Sequence, residues 1–185
     1  MPRTTVGRRW ALLALAAATL AAALALAGPA RAANLSQTGF GFNAGEISGF
    51  PAGKVFLTGG GAYNPETGFV HSAGGFRCTE AVGQGPLAGC LKGQGVRWDT
   101  AELLPATTFK CTGQPAEALK TAVTDQTTAV LQADFYRAGD GNDESFTAQL
   151  IVSRTDIAPD TLGVQNVWVQ GIGCGSATVH FSLPS

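Results

Sequence analysis

The chain has little of what most active sites are built from. Its 185 residues include two histidines, His71 and His180, and charged residues make up only 14%. It contains no G-x-S-x-G elbow, no H-E-x-x-H, no phosphate-binding G-x-x-x-x-G-K-[ST] and no G-x-G-x-x-G. The local signatures of α/β-hydrolases, zincins, P-loop enzymes and dinucleotide binders are therefore missing. No two of the four cysteines are spaced as C-x-x-C. That spacing is the usual mark of structural zinc, thioredoxin-type redox sites and covalent haem. No long apolar run follows residue 32, so the sequence predicts no membrane span beyond that point.

The first 32 residues form a segment of their own. Met1 to Arg9 is basic, Trp10 to Ala27 is apolar except for Thr19, and Gly28-Pro29 then breaks any helix. Ala30-Arg31-Ala32 fits the small-x-small cleavage rule, so a signal peptide cut after Ala32 is expected. The competing reading is a retained anchor, but the run is mostly weakly hydrophobic alanine. Arg8-Arg9-Trp10-Ala11-Leu12 resembles a twin-arginine export signal without its strong apolar residue two places on, which leaves Sec and twin-arginine routes both open. Residues 33–185 then carry 8 basic and 13 acidic groups, a net −5, against −1 for the whole chain. That balance argues against nucleic acid or an anionic membrane as partner. The expected location is secreted or in the cell envelope. Asn34-Leu35-Ser36 matches a glycosylation acceptor.

Cys78, Cys90, Cys111 and Cys174 all follow the leader. An even number in an exported chain points to two disulfides, with three pairings possible. The favoured one joins Cys78 to Cys90 across the flexible Gly83-Gln84-Gly85-Pro86 stretch, leaving Cys111 to Cys174. Phe76-Arg77-Cys78-Thr79 and Phe109-Lys110-Cys111-Thr112 look alike, but nothing flanking them repeats.

With 23 glycines in residues 33–185, turns are favoured over long helices. Apolar and polar residues alternate with period two over most of this stretch. In Thr128–Arg137, Leu131, Ala133 and Phe135 take one face and Gln132, Asp134 and Tyr136 the other. In Glu144–Arg154, Phe146, Ala148, Leu150 and Val152 point inward, and Gly139 to Asp143 supplies a hairpin turn. Lys54–Tyr63 and Phe69–Cys78 form a second hairpin around Asn64 to Gly68. Shorter strands are expected at Phe40–Asn43 and Thr107–Cys111, and further ones at Val164–Gly171 and Ser176–Leu183. Pro115 to Lys120 reads as a short helix, and Asp99-Thr100-Ala101-Glu102 as a capping box opening another. The expectation is a single all-β domain over 33–185: an antiparallel β-barrel or β-sandwich of about seven to nine short strands, with at most two short helices. Lipocalin-type barrels, allene-oxide-cyclase-like barrels and many sandwich modules share this layout, an analogy that transfers no residues.

The candidate sites follow from this face assignment. In Val167-Trp168-Val169 the valines serve the core, so the indole points the other way. Tyr136, Trp168, Gln170 and His180 then fall on the polar side of their strands and suit a sugar ring or flat apolar ligand. The competing reading packs Trp168 under a loop such as Thr79–Pro105, with Trp98 anchoring that segment. Asp140, Asn142 and Asp143 offer oxygen ligands for calcium, although a hairpin turn asks for the same residues. Asp134 and Glu144 are read as solvent-facing rather than as an acid/base pair. His71, on the side of Phe69 and Ala73, is read as partly buried. No other cofactor is expected.

The functional expectation is a secreted, disulfide-stabilised β-domain that binds a small molecule, glycan or protein and catalyses nothing. The alternatives are a cavity-barrel enzyme of the cyclase or isomerase kind, with His71 or His180 in a deep pocket, and a structural envelope protein.

Overall fold

A computed structural model describes residues 37–138 and 143–182. Eleven strands follow in order: β1 (Thr38–Gly49), β2 (Lys54–Asn64), β3 (Phe69–Glu80), β4 (Arg97–Leu103), β5 (Ala106–Phe109) and β6 (Lys120–Val123). They continue with β7 (Thr128–Tyr136), β8 (Phe146–Ser153), β9 (Val167–Val169), β10 (Gly173–Gly175) and β11 (Ala177–Ser182). Nine of them form one antiparallel sheet in the order β10-β9-β8-β7-β4-β3-β2-β1-β11. The sheet closes because β1 also pairs with β10, through Ser48 with Cys174 and Gly49 with Gly173. β11 carries on along the same edge, pairing Gly39 to Ala44 of β1 with Ser182 to Ala177. The ring makes this a barrel rather than a sandwich, and closure removes most of the free sheet edge.

Alternation decides which side chains enter the barrel. Leu131, Ala133 and Phe135 of β7 face inward with Ala148, Leu150 and Val152 of β8, while Gln132, Asp134 and Tyr136 stay outside the core. This is apolar-in, polar-out, the reverse of a barrel whose wall meets lipid. The interior is filled. Phe76 and Phe135 meet edge to face at 5.0 Å, and Phe42 lies 6.0 Å from Trp98. Trp98 is fully buried and donates its indole N–H to Thr58 O at 2.9 Å. The ring fits only because the facing positions are glycines: a Cβ on Gly59 would stand 2.5 Å from Trp98 Cζ2.

Two covers complete the molecule. The loop closed by the Cys78–Cys90 disulfide plugs one end, placing Val82, Leu87 and Cys90 in the core beside Ile172. Gln84 holds it there, donating to Gly171 O at 2.8 Å. The β5–β6 hairpin folds over the outside of the barrel, and the Cys111–Cys174 disulfide pins it to β10. It buries a second core of Phe109, Ala122, Val130, Ile151 and Trp168. Both disulfides follow the favoured pairing.

Two expectations need correcting. No helix occurs among the described residues. Asp99 to Glu102 belongs to β4, where the register shifts between Thr100 and Glu102, because pairing with β3 and β7 outweighs a local cap signal. Pro115 to Lys120 is a turn organised around the Glu117 carboxylate. That group accepts from the amides of Cys111 (2.6 Å) and Thr112 (2.8 Å), from the Thr112 hydroxyl (2.6 Å) and from Lys120 Nζ (3.0 Å).

Candidate functional site on the outer wall

The four residues expected to form a ligand face are not brought together. Trp168 does point outward, but it is only 3% exposed. Its indole N–H donates to Lys110 O at 2.8 Å and its ring packs against Phe109 at 5.6 Å. The loop-covered alternative is the correct one, although the cover is the β5–β6 hairpin and not Thr79–Pro105. Gln170 is held at the edge of β8, where its Oε1 accepts from the Gln149 amide at 3.1 Å. His180 is exposed on β11. In register it faces Gly41, then Gly60, Ala73 and Asp99 across successive strands. At about 4.8 Å per strand, His180 and Asp99 stand roughly 19 Å apart along the wall.

Tyr136 lies beyond that row, directly opposite Arg97. The Arg97 guanidinium sits 3.7 Å above the Tyr136 ring and reaches Asp99 Oδ2 at 2.6 Å. The Tyr136 hydroxyl donates to Asp99 Oδ1 at 3.2 Å. Desolvation and the Asp99 carboxylate hold this phenol above its ordinary pKa. Asp134 faces Asp99 across the strands and accepts from the Thr147 hydroxyl at 2.9 Å, while Glu144 is exposed. His71 is exposed too, correcting its reading as half-buried: it shares the outer face with Phe69 and Ala73 because Val70 and Ser72 take the inward positions. Asp140 and Asn142 lie outside the described residues, and Asp143 is exposed. No group of three or more His, Cys, Asp or Glu that could hold a metal occurs among the described residues.

Beside the Arg97–Tyr136 pair, the outer wall carries a groove of about 580 Å³ that sequence reasoning missed. β2 and β3 build one side of it, where Phe56 and Arg77 are cross-strand partners. Segment 93–96 builds the other, running beside β3: Phe76 N donates to Val96 O (3.3 Å), Cys78 N to Gln94 O (2.8 Å) and Gly93 N to Cys78 O (2.7 Å). The Cys78–Cys90 disulfide holds that segment against β3. Val96 is 53% exposed over the groove. Gly95 has φ +108°, and a Cβ there would stand 2.7 Å from Phe76 O, so the close approach of this wall requires glycine. Gly45, at the β1 bulge between Ala44 and Ile47, opens the far side. One signal for the groove was present in the sequence. In Val55-Phe56-Leu57 both neighbours of the ring serve the core, so Phe56 must face outward by the same logic that turned Trp168.

The other titratable groups with shifted pKa values serve structure. Burial pushes the Tyr63 phenol upward, as does the nearby Asp125 charge, and the hydroxyl stays protonated to donate to Asp125 O at 2.6 Å. Burial alone would raise Glu117. The Thr112 hydroxyl, the amides of Cys111 and Thr112, and Lys120 together bring it down to about 2.

Compared with family models, with curated proteins and with solved structures, the chain matches none.

Proposed function

We propose that this chain is an exported binding module whose recognition surface is the outer wall of the barrel. The observation that carries the reading is the contrast between a filled interior and an open groove on the outside. Where a ligand-holding barrel keeps its cavity, this one places Trp98, Phe135, Leu57, Leu131 and Leu150, all fully buried. A pocket for cyclase or isomerase chemistry would need that space, and both histidines stand outside it. The groove beside Phe56, Arg77 and Val96 has a volume typical of small-molecule sites. The two disulfides support an oxidising compartment, in keeping with the leader-like first 32 residues.

The test is an amide chemical-shift titration of the protein against glycans, lipids and cell-envelope fragments. The expected outcome is a ligand that shifts outer-wall amides, among them Gly75, Arg77 and Val96. A ligand whose shifts cluster on inward residues such as Leu131 and Leu150 overturns the reading.

A further inference from the structure

We propose that the outer-wall groove binds an amphipathic monoanion, a single carboxylate carried on an apolar chain or ring. The proposal rests on the outer-wall reading and names the ligand class for that site.

The apolar part of the argument is the surface itself. Phe56 and the half-exposed Val96 line the groove together with the glycines Gly45, Gly75 and Gly95. A flat or extended hydrocarbon of about ten carbons fits within 580 Å³ and would bury both side chains.

The anionic part comes from two donors on one strand. Arg77 and Thr79 are two residues apart on β3, so both lie on its outer face, about 7 Å apart. Arg77 is exposed, and among the described residues Lys54, Arg97 and Lys120 are ion-paired while Arg77 is not. The acids next to the groove in sequence, Glu46 and Glu80, both lie against Lys54, at 3.5 and 3.2 Å. The guanidinium thus has no ion-pair partner of its own at the groove, while the neighbouring Lys54–Glu46–Glu80 group carries a net −1. Thr79 is among the residues lining the same groove, and its hydroxyl is buried beneath the groove surface rather than open to it. Among the described residues it is the one buried side-chain polar atom without a hydrogen-bond partner. An orphaned buried hydroxyl is unfavourable unless something completes it. A carboxylate is acceptor-only: the exposed Arg77 fork suits two of its lone pairs, and a turn of the Thr79 side chain toward the groove would let the orphaned hydroxyl donate to it as well. A cationic amphiphile meets Arg77 with like charge, and a neutral one leaves the guanidinium unused.

The test compares decanoate, decanol and decyltrimethylammonium, by calorimetry and amide shifts. Two variants accompany the wild type: Arg77→Gln, and Gly45→Leu, whose added Cβ meets nothing within 4 Å and projects into open space at the groove. Decanoate is expected to bind at least tenfold more tightly than decanol, the cation more weakly still, with shifts at Gly45, Gly75, Arg77, Thr79 and Val96. Arg77→Gln is expected to weaken decanoate roughly tenfold or more and to leave decanol unchanged, as loss of a charge-assisted contact should. Gly45→Leu is expected to weaken both ligands. Equal affinity for decanoate and decanol, unchanged decanoate binding by Arg77→Gln, or no decanoate binding overturns the ligand class and leaves the outer-wall reading standing. Decanoate shifts confined to inward residues such as Leu131 and Leu150 overturn both.

Discussion

Replacing Cys111 and Cys174 together by alanine separates the two jobs of that disulfide. The cysteines are 63 positions apart, against 12 for Cys78 and Cys90. On the chain-entropy account, closing the longer loop is worth about 4 kcal/mol and the shorter about 3 kcal/mol. Both Cys111 and Cys174 are buried, so removing their sulfurs adds about 1 kcal/mol from the gaps left behind. With a urea slope of about 2 kcal/mol/M, the unfolding midpoint should fall by about 2.5 M. The second job is local. The disulfide ties the β5–β6 hairpin over Trp168, while Trp98 sits inside the barrel. In protein labelled with 5-fluorotryptophan, the Trp168 resonance should move and broaden in the variant at low urea, before the main transition, while Trp98 holds its native position until global unfolding. A midpoint within about 0.5 M of wild type, or Trp98 responding before Trp168, would refute the reasoning.

Two further perturbations probe other parts of the account. Glu117 has a folded-state pKa of about 2 against an ordinary 4.5, so its contribution is whole above pH about 4.5 and drains away as the pH falls toward 2. Glu117→Gln should therefore lower the urea midpoint at pH 7 and flatten its fall between pH 4.5 and 2.5, and acid limbs that run parallel in the two proteins would contradict this. Gly74→Ala places a Cβ 1.9 Å from Thr58 O and 2.7 Å from the Trp98 indole nitrogen, so a loss of about 2 kcal/mol or more is expected, whereas Gly45→Ala, facing open space, should stay within about 0.5 kcal/mol of wild type in the same assay.

What the sequence made legible was set by local pattern. Leu131, Ala133 and Phe135 could be assigned inward because a strand has period two and one face must meet the core. The cysteine pairing followed because Cys78 and Cys90 bracket a short flexible loop. β4 was hidden because Asp99-Thr100-Ala101-Glu102 imitates a helix start while a register shift breaks the alternation that would mark a strand. The outward turn of Trp168 was readable from its valine neighbours. Its burial was not, since the cover reaches it from Phe109 and Lys110, nearly sixty positions away. The groove failed for the same reason: Gly45, Phe56, Arg77 and Val96 become neighbours only once three strands are in register and segment 93–96 lies beside β3.

Xenon uptake followed through methyl resonances reads most directly whether this barrel is packed inside and open only at its surface. Apolar cavities large enough to stay empty take up xenon. The account predicts that the methyls of Leu57, Leu131, Leu150 and Val169 show no saturating xenon-induced shift under pressure, and that any such response is confined to Val96 at the groove. Saturating shifts on the inward leucines would reveal a vacant interior and contradict it.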